Sequence, residues 1–383
     1  MKRFLAILSL AGAGFAAFGQ ALPAPEIAAR EYLLVDMNAG QVLAERGADT
    51  PADPASLTKL MTAYLVFEAL KEHKLSLDQK MPVSQRAWAE RKGGGSLMFI
   101  DTTMAPTVDE LLQGLIVDSG NDAAVALAEG VGGSLDAFVG MMNRQAQAWG
   151  LTNTTFKNAS GLSEAGHLST PRDLTAIAQH VIRDFPQYYH YYAQRDYKFN
   201  NIHQDNPNVL LRRDPSVDGM KTGYTEAAGY CLLASAQRDF PNGKRRLIAI
   251  VMGTAAKEAR ADEAQKLLNW GYTQFDDVRL VEAGKAVGAP VPVWKGKQAQ
   301  VGLGSPDAIY VAVPKGEGEH LKTQIERTDP LVAPLSKGQR VGSLKVSTAS
   351  GAAIATIPLT VLEEVPQAGL FGRAWDAIRL WIK

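Results

Sequence analysis

The sequence predicts an α+β protein: an antiparallel sheet with a helical region inserted between its strands, then a small all-β domain and a terminal amphipathic helix. Three observations predict it. β-Prone runs stand near the start of the chain and return only after residue 229, so one sheet would draw on both ends of the first domain. Between them, from about 107 to 183, apolar residues recur three and four apart. From about 276, short β-prone runs alternate with Gly and Pro, the texture of a small β-domain.

Residues 1–21 read as a secretory signal peptide. Lys2 and Arg3 give a positive start, Phe4 to Phe18 an apolar run, and Gly19 and Ala21 the small residues of a cleavage point, expected after Ala21. The run falls short of the ~20 residues of a membrane span. The first domain then covers 26–273. Tyr32-Leu-Leu-Val35 and Gln41-Val-Leu-Ala44 flank Asn38-Ala-Gly40 as a hairpin over 31–46. Pro51 and Pro54 break the chain before Leu57, Leu60, Met61, Tyr64, Leu65 and Leu70, which recur at helical spacing. Val108 to Ala128 and Leu135 to Trp149 supply the inserted helices. Tyr230 to Gln237 and Arg246 to Val251 are strands, and a helix from about Glu258 to Trp270 closes the unit.

The β-domain spans 276–364, with strands expected at 291–294, 309–313, 340–346 and 355–362. In the tail, 367–383, Leu370, Phe371, Ala374, Trp375, Ile378, Trp381 and Ile382 share a helical face, with Arg373, Arg379 and Lys383 for charge. Such a helix is suited to the plane of a membrane interface, the alternative being a helix packed on the β-domain.

Composition removes whole classes. With 46% hydrophobic and 21% charged residues the 383-residue chain can build a core, so disorder is excluded. Forty basic residues balance forty acidic ones, which argues against a nucleic-acid partner. Cys231 is the one cysteine, in the apolar run Tyr230-Cys-Leu-Leu-Ala234, and reads as a buried hydrophobe. The six histidines form no H-E-x-x-H pattern, and no glycine-rich phosphate loop or repeat is present, so neither a metal nor a cofactor is expected.

Three short motifs carry chemistry. Ser56-Leu-Thr-Lys59 opens a predicted helix, which puts Ser56 and Lys59 on one face. A serine needs a base to attack, and a lysine serves only when its pKa is lowered. Ser119-Gly-Asn121 offers a second hydroxyl to relay a proton and an amide to hold a peptide. In Lys221-Thr-Gly223 the lysine gives positive charge, the threonine a hydroxyl, and the glycine room for a substrate backbone beside a strand. Alone, each motif is weak. Their order, and the element each occupies, make the combination specific.

That combination resembles the signature shared by β-lactamases and penicillin-binding proteins. Asp53-Pro-Ala-Ser-Leu-Thr-Lys59, Gly95-Ser-Leu-Met-Phe99, Asp118-Ser-Gly-Asn-Asp122 and Val217-Asp-Gly-Met-Lys-Thr-Gly223 resemble the low-molecular-weight D-alanyl-D-alanine carboxypeptidases more closely than the β-lactamases. The resemblance runs from about Glu31 to the C-terminus. It implies a β-lactamase/transpeptidase-like catalytic domain acting on peptidoglycan stem peptides at the outer face of the inner membrane, with β-lactam antibiotics as further ligands. It implies that Ser56 forms an acyl-enzyme, Lys59 is its base, Ser119 relays a proton, and Asn121, Lys221 and Thr222 hold the substrate. Backbone N–H groups of Ser56 and Tyr224 would form the oxyanion hole, with Gly223 beside them.

Two departures stand out. Relatives often carry histidine where this chain has Tyr224, and an Asn-Arg-Asn run where it has Asn206-Pro207-Asn208; Arg212 or Arg213 could replace that arginine, or both could be surface charges. Rival readings are a D,D-endopeptidase on the same chemistry and an idle peptidoglycan-binding scaffold. A β-lactamase needs a further carboxylate to activate water, and the sequence offers no clear one.

Overall fold

The computed structural model describes residues 22–381, so the expected signal peptide lies outside the described residues. The hairpin forms as expected: β1 (Glu31–Asp36) pairs antiparallel with β2 (Gln41–Arg46). After the inserted helices, the chain returns as β5 (Val217–Thr225), β6 (Gly229–Phe240) and β7 (Gly243–Thr254), counting the hairpin β3 (Asp196–Phe199) and β4 (Ile202–Asp205) before them. The sheet order is β2-β1-β7-β6-β5, antiparallel throughout, so strands from both ends of the domain meet at β1 and β7.

Both faces of this sheet are covered, which explains the unbroken apolar run Leu247 to Met252. Ile248, Ile250 and Met252 face the inserted helices with Leu33, Cys231 and Leu233. Leu247, Ala249 and Val251 face the other way with Leu34 and Leu232, under Leu267 and Leu268 of the closing helix. Period-two alternation thus sorts one continuous run into two cores. Cys231 is a fully buried member of the first core, and burial lifts its thiol to about 11.

The helical layer comprises α1 (Lys59–Lys71), α2 (Gln85–Ala89), α3 (Val108–Ile116), α4 (Asn121–Gly132), α5 (Leu135–Ala148) and α6 (Pro171–Asp184). α1 is its axle: eleven of its residues are buried, so it shows core on every side rather than a stripe. The long run from Val108 is interrupted. Thr107 and Glu110 form a reciprocal capping box at its start, but the helix stops at Ile116 and restarts at Asn121 with Gly120 as N-cap. A short α7 (Leu210–Arg213) precedes β5, and α8 (Lys257–Gln274) closes the domain, four residues longer than expected at its end.

The second domain begins with β8 (Phe275–Val281), which pairs with a later strand, Ile309–Pro314. The strands Arg340–Ser347 and Ala353–Val361 form its central pair, flanked by Lys322–Arg327. Its junction with the first domain is specific: the Gln41 side chain donates to the Ala312 carbonyl and accepts from the Ala312 N–H. Beneath it, Arg245 and Asp36 form a fully buried ion pair at 2.7 Å, and Arg245 also donates to the Phe275 carbonyl. The terminal helix, Leu370–Trp381, buries none of its residues; Ile382 and Lys383 lie outside the described residues.

Candidate active site

Ser56 sits in a 3₁₀ turn, Ala55–Thr58, that runs directly into α1. The turn is tightly held. The Asp53 carboxylate accepts from Ala55 N–H at 2.8 Å, and Ala55 itself is left-handed at φ 48°. Two glycines press on it. A Cβ on Gly161 would stand 1.8 Å from the Ala55 carbonyl oxygen, and one on Gly223 would stand 3.2 Å from Ser56 N. Gly223 therefore brings strand β5 alongside the nucleophile turn, which is what the lysine-threonine-glycine motif requires.

Lys59 is one turn behind Ser56 and 1% exposed. Its Nζ lies 3.0 Å from Ser56 Oγ, 2.7 Å from Asn121 Oδ1 and 2.6 Å from the Ser160 carbonyl oxygen. Burial at the start of a helix packed on all sides pushes its pKa down to about 7, with the anions of Glu90 and Asp122 partly opposing the fall. Among the described residues it makes no direct ion pair, so a neutral Lys59 that accepts the Ser56 proton is accessible near neutral pH.

The break between α3 and α4 builds the second wall. Ser119 is left-handed at φ 60°, which turns its hydroxyl toward the sheet while Asn121 starts α4. Lys221, on β5, donates to Ser119 Oγ at 2.8 Å and to its neighbour's carbonyl, that of Thr222, at 3.1 Å. Burial, then the positive charges of Lys59 and Arg260, hold Lys221 well below the ordinary lysine range. Asp122 anchors the floor: its carboxylate accepts from the N–H groups of Met98, Ile100 and Ala123.

The motifs converge on a cleft of about 300 Å³ whose lining includes Ser56, Ser119, Asn121, Thr222, Gly223 and Tyr224. All eight sequence-predicted site residues lie in it or directly behind it. Tyr224 stands half-exposed at the rim with its ring 4.3 Å from that of Tyr230. Among the described residues no Asp or Glu lines the cleft, whereas Lys257 and Arg260 of α8 do.

Sequence reasoning missed Arg260. It is 5% exposed, donates to the Gly223 carbonyl and makes no ion pair with any described residue. Its signal was legible: Arg260 occupies the apolar stripe of α8, in line with Ala264, Leu267 and Gly271. The surface reading of Arg212 and Arg213 fits the structure, since they pair with Asp205 at 2.6 Å and Asp262 at 2.7 Å. Asn206 and Asn208 are buried braces, donating to the carbonyls of Gln194 and Gly219, while Pro207 between them lines the cleft.

With neither histidine nor carboxylate among the described residues that line the cleft, the base within reach of Ser56 is Lys59. That restricts the class to serine hydrolases that pass through an acyl-enzyme on a lysine base. Comparison with known proteins narrows it. Residues 19–256 match the profile of D-alanyl-D-alanine carboxypeptidases and residues 275–367 that of the penicillin-binding protein 5 C-terminal domain. The chain is 41% identical to D-alanyl-D-alanine carboxypeptidase DacC of Escherichia coli over 94% of this chain and 90% of that one. Its structure matches penicillin-binding protein 5 of Haemophilus influenzae with a TM-score of 0.84 at 39% identity, covering 90% of this chain and all (100%) of that one. The ampicillin-bound form of penicillin-binding protein D2 from Listeria monocytogenes matches over 66% of this chain and 100% of that one, at 32% identity and a TM-score of 0.59. The chain belongs to the D-alanyl-D-alanine carboxypeptidase family and is a serine-type hydrolase of the penicillin-binding class.

Proposed function

We propose that this enzyme removes the terminal D-alanine from peptidoglycan stem peptides through a Ser56 acyl-enzyme, and that β-lactams acylate the same serine. The observation that carries the reading is the 3.0 Å approach of a buried Lys59, titrating near 7, to Ser56 Oγ. Neutral Lys59 takes the Ser56 proton as Oγ attacks the carbonyl carbon between the two D-alanines. The backbone N–H groups of Ser56 and Tyr224 receive the oxyanion. The C–N bond breaks, and the leaving amine takes the proton that Lys59 collected, relayed through Ser119, which Lys221 orients, so Lys59 is neutral again. Lys59 then deprotonates the water that hydrolyses the ester. Asn121 orients the scissile peptide, and Thr222 with Arg260 holds the terminal carboxylate. A buried guanidinium without an anionic partner favours a free carboxylate there, hence a chain end.

The cleft's lack of a carboxylate speaks against fast turnover of the β-lactam acyl-enzyme. Mass spectrometry of the protein mixed with benzylpenicillin tests the nucleophile. One adduct per chain on the Ser56 peptide, absent in Ser56→Ala, supports the reading; a folded protein with no adduct overturns it and leaves the scaffold reading.

We further propose that the enzyme is exported and held at the outer face of the inner membrane by its last helix. Half of the exposed large apolar side chains among the described residues, Leu370, Phe371, Trp375, Ile378 and Trp381, sit on that helix. The helix is tied to the β-domain by Lys295 N–H donating to Asp376 and by Arg379 over the Trp294 ring. Apolar residues turned outward from a tethered helix suit an interfacial position.

A further inference from the structure

One carboxylate close to the site has no role in the mechanism above. Glu90 opens the short 3₁₀ turn Glu90–Lys92 that follows α2. It is 7% exposed, and its Oε2 is buried with no hydrogen-bond partner. Its nearest cation is the exposed Arg86, on α2, at 3.8 Å from the other oxygen. A carboxylate oxygen kept from water without a donor is costly, and burial raises the Glu90 pKa accordingly.

The segment that Glu90 begins is the outer support of Lys59. Gly93 N–H closes the turn on the Glu90 carbonyl. Gly94 O then accepts from Asn121 Nδ2, and Ser96 O accepts from Asn121 N–H. Asn121 Oδ1 in turn accepts from Lys59 Nζ. Glu90 does not line the cleft, so it touches neither substrate nor the reacting atoms. The charged groups around Lys59 are Asp122 from α4, Lys221 from β5 and Glu90 from this turn; around Glu90 they are Arg86, Lys59 and Asp122. Asp122 spends its oxygens on three backbone N–H groups. Glu90 alone of the two anions keeps an oxygen uncommitted, and it is the stronger influence on Lys59.

We propose that Glu90 is a positioning residue for catalysis: its buried carboxylate is the counter-charge that lets Lys59 both give up and regain a proton at neutral pH. Acylation needs Lys59 neutral, and each later proton return needs it able to bind one, so an affinity near the working pH serves both steps. Burial drives that affinity down, and Glu90, ahead of Asp122, holds it up. The inference rests on Lys59 being the base.

The test is the pH profile of the second-order rate of acylation by benzylpenicillin, from pH 5 to 9, for wild type, Glu90→Gln, Glu90→Met and Glu90→Asp. Removing the anion moves the acid limb to lower pH. A displacement of ~0.5 unit raises the variant-to-wild-type rate ratio roughly threefold below the limb relative to the plateau. Both neutral variants are expected to show it, and Glu90→Asp to keep the wild-type limb. A merely structural role lowers the rate evenly at every pH. Thermal melts identify any variant that fails to fold, and the other neutral variant then decides. Superimposable limbs overturn the role of Glu90; a wild-type profile with no acid limb overturns the Lys59 reading and this inference with it.

Discussion

Lowering the pH from 8 to 5 is expected to slow acylation of Ser56 about 100-fold, because the base that must receive the serine proton becomes saturated with protons of its own. The magnitude follows from Lys59, which burial brings down to about 7. Below that value Lys59 is an ammonium and cannot accept. Its neutral fraction is about one half at pH 7, roughly one in ten at pH 6 and roughly one in a hundred at pH 5. The limb has a slope of one, since a single proton blocks a single base.

Stopped-flow measurement with a fluorescent penicillin under pseudo-first-order conditions gives the rate at each pH. The antibiotic's own carboxylate is ionised across this range, so the limb belongs to the enzyme. Lys59→Arg provides the control. A guanidinium does not deprotonate in this range, and the variant is expected to lose acylation by at least ~10³-fold at every pH. A rate that stays flat from pH 8 to 5, or an arginine variant that still acylates, would refute lysine as the base.

Arg260→Gln is expected to lower kcat/KM on a D-alanyl-D-alanine peptide by roughly 10- to 100-fold, the loss of one charge-assisted contact, and to leave a carboxyl-amidated peptide unaffected; steady-state release of the terminal residue from each checks it. Gly161→Ala sets a Cβ at 1.8 Å from the Ala55 carbonyl and demands φ +88° of an alanine. It is expected to abolish penicillin binding and lower Tm by calorimetry, whereas a variant with normal binding would mean the nucleophile turn tolerates displacement. Asp36→Ala strands Arg245 in the domain junction, and a loss of about 3–5 kcal/mol in urea unfolding is expected. Truncation after Pro366 is expected to leave activity intact and abolish sedimentation with anionic lipid vesicles; a truncated form that still sediments would end the membrane proposal.

Much of the catalytic domain was legible because its signals are local. The hairpin at 31–46, the helix after Pro54 and the central strands follow from periodicity and turn residues, and the convergence of three motifs came from their order. What escaped depends on packing. The break at Ile116 lies inside an apolar run that reads as one helix, and only Ser119 and Gly120 hint that it ends there. The lysine-threonine-glycine motif reads as lying before a strand, yet it is the middle of β5, whose pairing with β6 is a long-range fact. Arg260 and Glu90 are single charges at positions that sequence assigns to core or loop. The apolar stripe of α8 marks Arg260 as a buried charge, but what either residue does comes from what surrounds it, which no spacing encodes. In the second domain, Phe275–Val281 and Lys322–Arg327 escaped notice because the one carries two aspartates and the other four charged or amide residues in six.

The site is also where the fold departs furthest from its own rules, and the departures have one cause. Ala55 and Ser119 adopt left-handed backbone, each at a cost of roughly 1–3 kcal/mol, where the Ser56 hydroxyl meets Lys59 and the Ser119 hydroxyl meets Lys221 across a narrow cleft. Lys59 falls from the ordinary lysine value of 10.5 to about 7, so stability is lost as pH drops from the upper value through the lower, amounting to roughly 4–5 kcal/mol at and below neutrality. A methionine in that place would avoid the charge penalty but could not accept a proton. The apolar helix α1, buried on every side, is therefore both what makes the lysine expensive and what supplies the stability to keep it. Desolvation that turns an ammonium into a base needs a core dense enough to exclude water, and the two-sided sheet with its central helix provides one.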